Sequence, residues 1–204
     1  MAIKRSIDVV LSLAILLVSS PLLAATALAT RLNTPGPAIF RQERVGLGGQ
    51  TFTLLKFRSM FDGVADDTHR EQNLAELAGA GKLDARVSYK DAEDPRITPV
   101  GRVIRRFSID ELPQLVNVIR GDMSLVGPRP SLIWEVAEFP ASVDRRFAVR
   151  PGLTGLWQVS GRNMWSLPEM LEIDCVYADT LSTLGDIRIL LRTIPAAIRG
   201  DGAA

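Results

Sequence analysis

Residues 9–30 read VVLSLAILLVSSPLLAATALAT, an uncharged and mostly apolar run broken at its middle by Ser19-Ser20-Pro21. As one straight helix it is roughly 33 Å long, enough to cross a bilayer. Three readings compete. Lys4 and Arg5 precede the run and small-residue sites such as Ala25-Thr26-Ala27 lie near its end, as in a cleaved secretion signal. A plain transmembrane anchor is the second. The third is a helix that enters and leaves on the same side. Pro21 removes a backbone donor and crowds the preceding turn, and the adjacent serines can satisfy the freed carbonyl. Each half then spans about 11 residues, roughly one leaflet deep. Basic residues flank both ends, Lys4 and Arg5 before, Arg31, Arg41 and Arg44 after. The positive-inside tendency therefore favours two cytoplasmic ends.

Outward from this run the composition is that of a folded domain. The chain has 204 residues, 47% hydrophobic and 23% charged, with a formal net charge of +1. That charge argues against nucleic acid as a partner. The single cysteine, Cys175, excludes an internal disulfide and a cysteine zinc cluster. The single histidine, His69, lies in a polar stretch, which disfavours a Ser-His-Asp mechanism. Carboxylates, arginines, lysines and a metal are left to carry chemistry.

The turn signal Asn33-Thr34-Pro35-Gly36-Pro37 separates the apolar run from the rest of the chain. Alternation over 38–44 and 51–57, with Gly46, Gly48 and Gly49 between, predicts a β-hairpin. These glycines have neither the P-loop nor the dinucleotide-binding spacing. Residues 71–81 have helical composition and 83–94 read as a polar loop or lid. Helices are expected over 103–120, stopped by Gly121, over 134–147 and over 167–180, with a glycine-rich loop or strand at 150–163. The last helix, 186–199, carries Ile187, Leu190, Leu191, Ile194 and Ile198 on one stripe with Arg188, Arg192 and Arg199 off it. That pattern fits packing on a core or lying in a membrane interface.

The chemical centre is expected in residues 108–130, SIDELPQLVNVIRGDMSLVGPRP. Ser108 and Glu111 have the spacing of a capping box. The box places Asp110 in a first helical turn, where the dipole lowers its proton affinity and keeps it ionised, as a nucleophile must be. The same helix end attracts phosphate. Gly127-Pro128-Arg129-Pro130 restrains an arginine suited to bidentate phosphate binding. Arg96, Arg102, Arg105 and Arg106 form a basic cluster upstream, without the aromatic interleaving of a nucleic-acid surface.

These residues resemble the small monotopic phosphoglycosyl transferases of bacterial glycoconjugate assembly, the bacterial sugar transferases. Matching pieces run in order along nearly the whole chain. They are residues 4–8 (KRSID), Ser20-Pro21, residues 35–46 (PGPAIFRQERVG), 56–60 (KFRSM), 94–98 (DPRIT), the Asp110-Glu111 segment and 150–163 (RPGLTGLWQVSGRN). No single piece is decisive; the ordered set is.

The resemblance implies an α+β protein in three parts: residues 1–32 a re-entrant membrane helix bent at Ser20 and Pro21, 33–185 a compact cytosolic catalytic domain, and 186–204 an amphipathic interfacial helix and tail. It implies residence at the cytoplasmic face of a bacterial inner membrane, among membrane lipids. Asp110 matches the nucleophile that takes a phospho-sugar from a UDP-sugar, releasing UMP. Polyprenyl (undecaprenyl) phosphate then takes the group from Asp110, so the reaction is ping-pong. Glu111 matches the partner carboxylate, as base or metal contact, and Mg2+ held by Asp110 and Glu111 is expected. Arg129 matches the phosphate-binding arginine, with Lys56, Arg58, Arg96 and Arg162 as further nucleotide or phosphate contacts. Leu156 and Ser160 stand where the family often has aromatic or Asn residues, which leaves the sugar open. Oligomeric state is open too, with a homodimer as one option. Rival readings are an anchored scaffold, a secreted protein with a cleaved leader and a metal-dependent nucleotide-sugar hydrolase.

Overall fold

The structure, a computed structural model, describes residues 2–61, 67–79, 94–161 and 165–199. It is an α+β fold led by one long apolar helix, with two small sheets behind it.

Helix α1 runs from Ala2 to Asn33 and continues through Pro21. Proline has no N–H for the carbonyl four residues back, which here is Leu17. The Ser20 hydroxyl donates to that carbonyl at 2.8 Å, and Ser19 donates to Ile15 at 2.6 Å. The sequence therefore supplies its own repair where the backbone lacks a donor. One stripe of the helix faces the rest of the protein: Asp8, Ser12, Thr26 and Thr30 are buried, and Leu16 packs on the core. Leu17 and Val18, 76% and 83% exposed, lie on the opposite, uncovered apolar face.

Strands β1 (Ile39–Val45) and β2 (Thr51–Phe57) form the expected hairpin, antiparallel from Ile39 opposite Phe57 to Val45 opposite Thr51. Its connection includes a 3-10 turn, Leu47–Gly49. Helix α2 covers Asp67–Leu77. The single helix expected over 103–120 is two helices, α3 (Pro99–Arg106) and α4 (Gln114–Arg120), with a 3-10 turn at Ile109–Glu111 between them. Ser108 is the break: its φ is 53°, the one positive value among the described non-glycine residues. Gly121 ends α4 as expected, at φ 96°, its N–H bonded to Asn117 and Val118 carbonyls.

Two short strands had no sequence signal, β3 (Ser124–Val126) and β4 (Ser131–Leu132), while β5 (Gly152–Thr154) lies in the stretch 150–163 read as loop or strand. Strand β4 joins the edge of β1, while β3 pairs in parallel with β5. A Cβ on Gly127 would collide with the Arg150 carbonyl, and one on Gly152 with the Gly127 amide. Two glycines are needed because two backbones touch there. The expected helix 134–147 breaks at Pro140 into α5 (Ile133–Glu138) and a 3-10 stretch, Ala141–Ala148. Short α6 (Leu156–Val159), α7 (Leu167–Thr180) and α8 (Thr183–Arg199) complete the chain. Helix α8 starts three residues before the expected Asp186, which is buried.

The core joins Leu54 of β2, Leu115 and Val118 of α4, Met123, Leu125 and Val126 around β3, Tyr177 of α7 and Ile189 of α8. Each such side chain stabilises the fold by about 1.5–3 kcal/mol. The first turns of α1 plug into this core. Arg5 donates to the last carbonyls of α4, Val118 and Ile119, where a cation suits the helix dipole. Asp8 accepts from the Ser124 hydroxyl and the Leu125 amide. Lys4 donates to Asp186 at 2.6 Å and to the Val126 carbonyl at 3.1 Å. Lys4, Arg5 and Asp8 are thus interior fastenings, and cleavage after residue 27 or 29 would remove all three.

Candidate active site

The site forms where β2, the end of α3, the Ile109–Glu111 turn and the loop after β3 converge. Lys56 stands on β2 opposite Phe40 of β1, its ammonium 5.2 Å from the Phe40 ring centre. Asn117 fixes this strand: its carbonyl oxygen accepts from the Leu55 amide at 3.0 Å, and its amide donates to the Thr53 carbonyl at 2.8 Å. Arg105 lies in the last turn of α3. Ser108 then turns the chain so that Asp110 and Glu111 follow on the 3-10 turn.

This corrects the expected capping box. The Ser108 side chain caps nothing; the link to Glu111 is from its backbone N–H to the Ser108 carbonyl. Helix α4 begins only at Gln114, so Asp110 does not sit in its first turn. Its proton affinity is corrected as well. Burial, and then the charge of Glu111, push Asp110 up to about 7, with Arg105 and Lys56 pulling the other way. Lys56 is lowered to about 8, first by burial, then by Arg44, with Asp110 opposing. Arg105 is also lowered by burial, against Asp110 and Asp94. A left-handed non-glycine residue beside a half-buried carboxylate pair is local strain held by its surroundings.

Arg129 completes the group, since its charge acts on both Lys56 and Arg105. Its loop is held from behind. Arg146 donates to the Arg129 carbonyl at 2.7 Å, to Ser131 at 2.6 Å and to Asp174 at 2.7 Å. The Arg146–Asp174 pair is 3% exposed on each side, and burial raises Asp174 to about 6 against the pull of Arg146. Such a pair fixes geometry more than it adds stability.

The structure therefore brings together Asp110, Glu111, Lys56 and Arg129 of the expected residues, and adds Arg105. Arg96 is at the margin: it grips Asp94, whose carboxyl is lowered by that contact, and Asp94 in turn acts on Arg105. Arg58 has a different place. Its guanidinium donates to the Thr34 and Pro35 carbonyls just past the end of α1. Arg162 lies outside the described residues. In the sequence Arg105 was one of four basic residues without distinction, and nothing local marked Asn117 or Arg146.

Chemically the arrangement is an anionic nucleophile candidate inside a ring of cations, suited to a phosphorus centre bearing several negative oxygens. Among the described residues no group of three or more carboxylate, histidine or cysteine side chains surrounds a metal position. Asp110 and Glu111 alone suit magnesium, which commonly takes one or two carboxylates and fills its shell with water and substrate phosphate. Burial, and after it their mutual repulsion, raises Asp110, and a dication would offset the repulsion.

Comparison with known proteins gives the same direction. The chain is 38% identical over 200 residues to an exopolysaccharide production protein of Sinorhizobium fredii, covering 98% of this chain and 87% of that one. It is 41% identical over 201 residues to an undecaprenyl-phosphate galactose phosphotransferase of Salmonella typhimurium, covering 98% of this chain but 41% of that protein. It is 40% identical over 208 residues to a UDP-glucose:undecaprenyl-phosphate glucose-1-phosphate transferase of Caulobacter vibrioides, covering 98% and 71%. The chain thus spans less than half of the Salmonella protein and most of the other two. The family model for bacterial sugar transferases matches residues 1–200, taking in the α1 fastenings, the hairpin and the Asp110-Glu111 site alike, and the chain belongs to that family.

Proposed function

We propose that the protein transfers a phospho-sugar from a UDP-sugar to polyprenyl phosphate at the cytoplasmic face of a bacterial inner membrane, releasing UMP. The observation that supports this most is the half-buried Asp110-Glu111 pair set among Lys56, Arg105 and Arg129. Relatives named for moving galactose or glucose phosphate onto undecaprenyl phosphate point to the same chemistry.

In this reading the Asp110 carboxylate attacks the sugar-bearing phosphorus. The bond to the bridging oxygen breaks, UMP leaves with those electrons, and an aspartyl phospho-sugar remains. A phosphate oxygen of the lipid then attacks the same phosphorus, forming a diphosphate and freeing Asp110. Lys56, Arg105 and Arg129 hold the phosphate oxygens and offset their charge. Arg146 keeps Arg129 in place through its carbonyl. Magnesium, when held by Asp110 and Glu111, supplies further charge neutralisation at the phosphates. In this reading Glu111 is the partner carboxylate, as base or metal contact.

Both ends of α1 support a re-entrant course. Lys4, Arg5 and Asp8 fasten its start to α8, α4 and β3. At its far end Asn33 accepts from Val100 of α3, and Arg58 holds the carbonyls just beyond. A helix crossing about 30 Å of hydrocarbon would put those ends on opposite faces. In this reading α1 turns back at Ser20 and Pro21, residues 1–32 are the membrane helix, 33–185 the catalytic body and 186–204 the interfacial helix and tail.

The test is UMP release by detergent-solubilised protein given magnesium, polyprenyl phosphate and a panel of UDP-sugars. Release with one sugar, dependent on the lipid and absent in Asp110→Asn, is expected. Sustained release without lipid would instead mark a hydrolase.

A further inference from the structure

Between α7 and α8 lies a cavity of about 250 Å3 with no part in the chemistry above. Its floor is apolar, from Leu156 and Ile189; Thr180 and Ser182 bring hydroxyls, and Arg188 and Arg192 line one side. The two arginines are four residues apart, so they sit one above the other on α8. Both are exposed, and among the described residues neither is in an ion pair. The nearby carboxylates are already engaged: Asp186 with Lys4, and Asp179 with Arg145.

On α8 the arginines border a second surface. Leu184, Ile187, Leu191 and Ile194, spaced by three and four residues, form one exposed apolar stripe. Arg188 and Arg192 lie between that stripe and the cavity. The Lys4–Asp186 contact ties the start of α8 to the first turn of α1, just before the apolar run begins at Val9. If α1 enters the bilayer there, the α8 stripe meets acyl chains and the arginines stand at headgroup depth.

We propose that this cavity binds the phosphate of an anionic phospholipid, with Arg188 and Arg192 as its cationic clamp and the α8 stripe against the acyl chains. The ligand class is a phosphodiester bearing net negative charge; a zwitterionic lipid gains less, because its own cation competes for the phosphate. The inference rests on the membrane placement proposed above.

The experiment titrates the full chain in zwitterionic detergent with short-chain phosphatidylglycerol or phosphatidylcholine and counts retained lipid by native mass spectrometry. One phosphatidylglycerol should be retained selectively. Arg188→Gln with Arg192→Gln should weaken it about thirtyfold, the effect of two basic residues at an anionic surface. Thr180→Phe, on the exposed rim, should block the cavity without changing charge and give a similar loss. Arg120→Gln, an exposed arginine elsewhere, should leave retention unchanged. Equal retention of both lipids, retention unchanged in either the double variant or Thr180→Phe, or full displacement by inorganic phosphate would overturn the proposal. Flotation on phosphatidylcholine vesicles is read separately. Failure to float overturns the membrane placement and the site with it, whereas flotation without selective retention overturns the site alone.

Discussion

Asn117 accepts a hydrogen bond from the Leu55 amide at 3.0 Å, tying helix α4 to strand β2 one residue before Lys56. Its amide also reaches the Thr53 carbonyl and Asp122, and its side chain is fully buried. The site depends on this register, because Asp110 precedes α4 and Lys56 lies on β2. Replacing Asn117 by Ala strands two backbone groups, at about 1–3 kcal/mol each. A lowered thermal midpoint is expected, together with lost turnover even below that midpoint. Full activity in a destabilised variant would argue that the register is incidental.

Asp110 gives a pH signature. Its carboxyl is raised from 3.8 to about 7 by burial and Glu111. A raised carboxyl costs nothing while protonated, below pH 3.8, and progressively destabilises the fold as pH rises through about 7. Asp110→Asn removes that cost, so its thermal midpoint should exceed the parent's by a margin that widens from pH 4 to pH 8 in the absence of metal. Magnesium should narrow the margin by stabilising the ionised parent. A margin independent of pH would contradict the burial of Asp110.

Much of the fold and the site was legible in the sequence, and the failures have physical causes. The hairpin showed because Ile39–Val45 and Thr51–Phe57 are long enough for alternation to register. Strands of two or three residues, such as Ser131–Leu132, carry no periodicity and exist only through tertiary pairing. Asp110, Glu111, Lys56 and Arg129 were marked by motif. The state of Asp110 was misread because the capping pattern is local, whereas burial and the Arg105 and Lys56 charges are assembled from distant segments. The place of Arg58 was hidden for a similar reason: its hold on the Thr34 and Pro35 carbonyls is a contact that no local motif announces.

Arg146 and Asp174 make a separable prediction. Asp174→Asn leaves Arg146 buried and poorly paired, at about 3–5 kcal/mol. A matched apolar pair, Arg146→Met with Asp174→Leu, should recover much of that stability yet leave the Arg129 loop loose. The expected readout is a raised KM for the UDP-sugar, with the thermal midpoint near the parent's. Normal KM in the matched variant would show that Arg129 needs no support from Arg146.

Ser20 and Pro21 govern the course of α1. Replacing both by Leu restores the missing amide donor and removes the serine that answers for it. A continuous apolar helix then favours crossing. Cys175 is buried, so a cysteine introduced at position 3 is the accessible thiol for an impermeant label. In intact spheroplasts the parent should remain unlabelled and the double variant become labelled. Labelling of the parent would place its N-terminus outside and end the re-entrant reading.

The central claim is that Asp110 carries the phospho-sugar between two half-reactions, and rapid-quench measurement of UMP without lipid acceptor addresses it most directly. The expected result is a burst approaching one UMP per enzyme that then stops, resumes on adding polyprenyl phosphate, and is absent in Asp110→Asn, whose turnover should fall on the order of 10^4-fold. UMP formed only when donor and lipid are present together, or a burst that survives in Asp110→Asn, would contradict it.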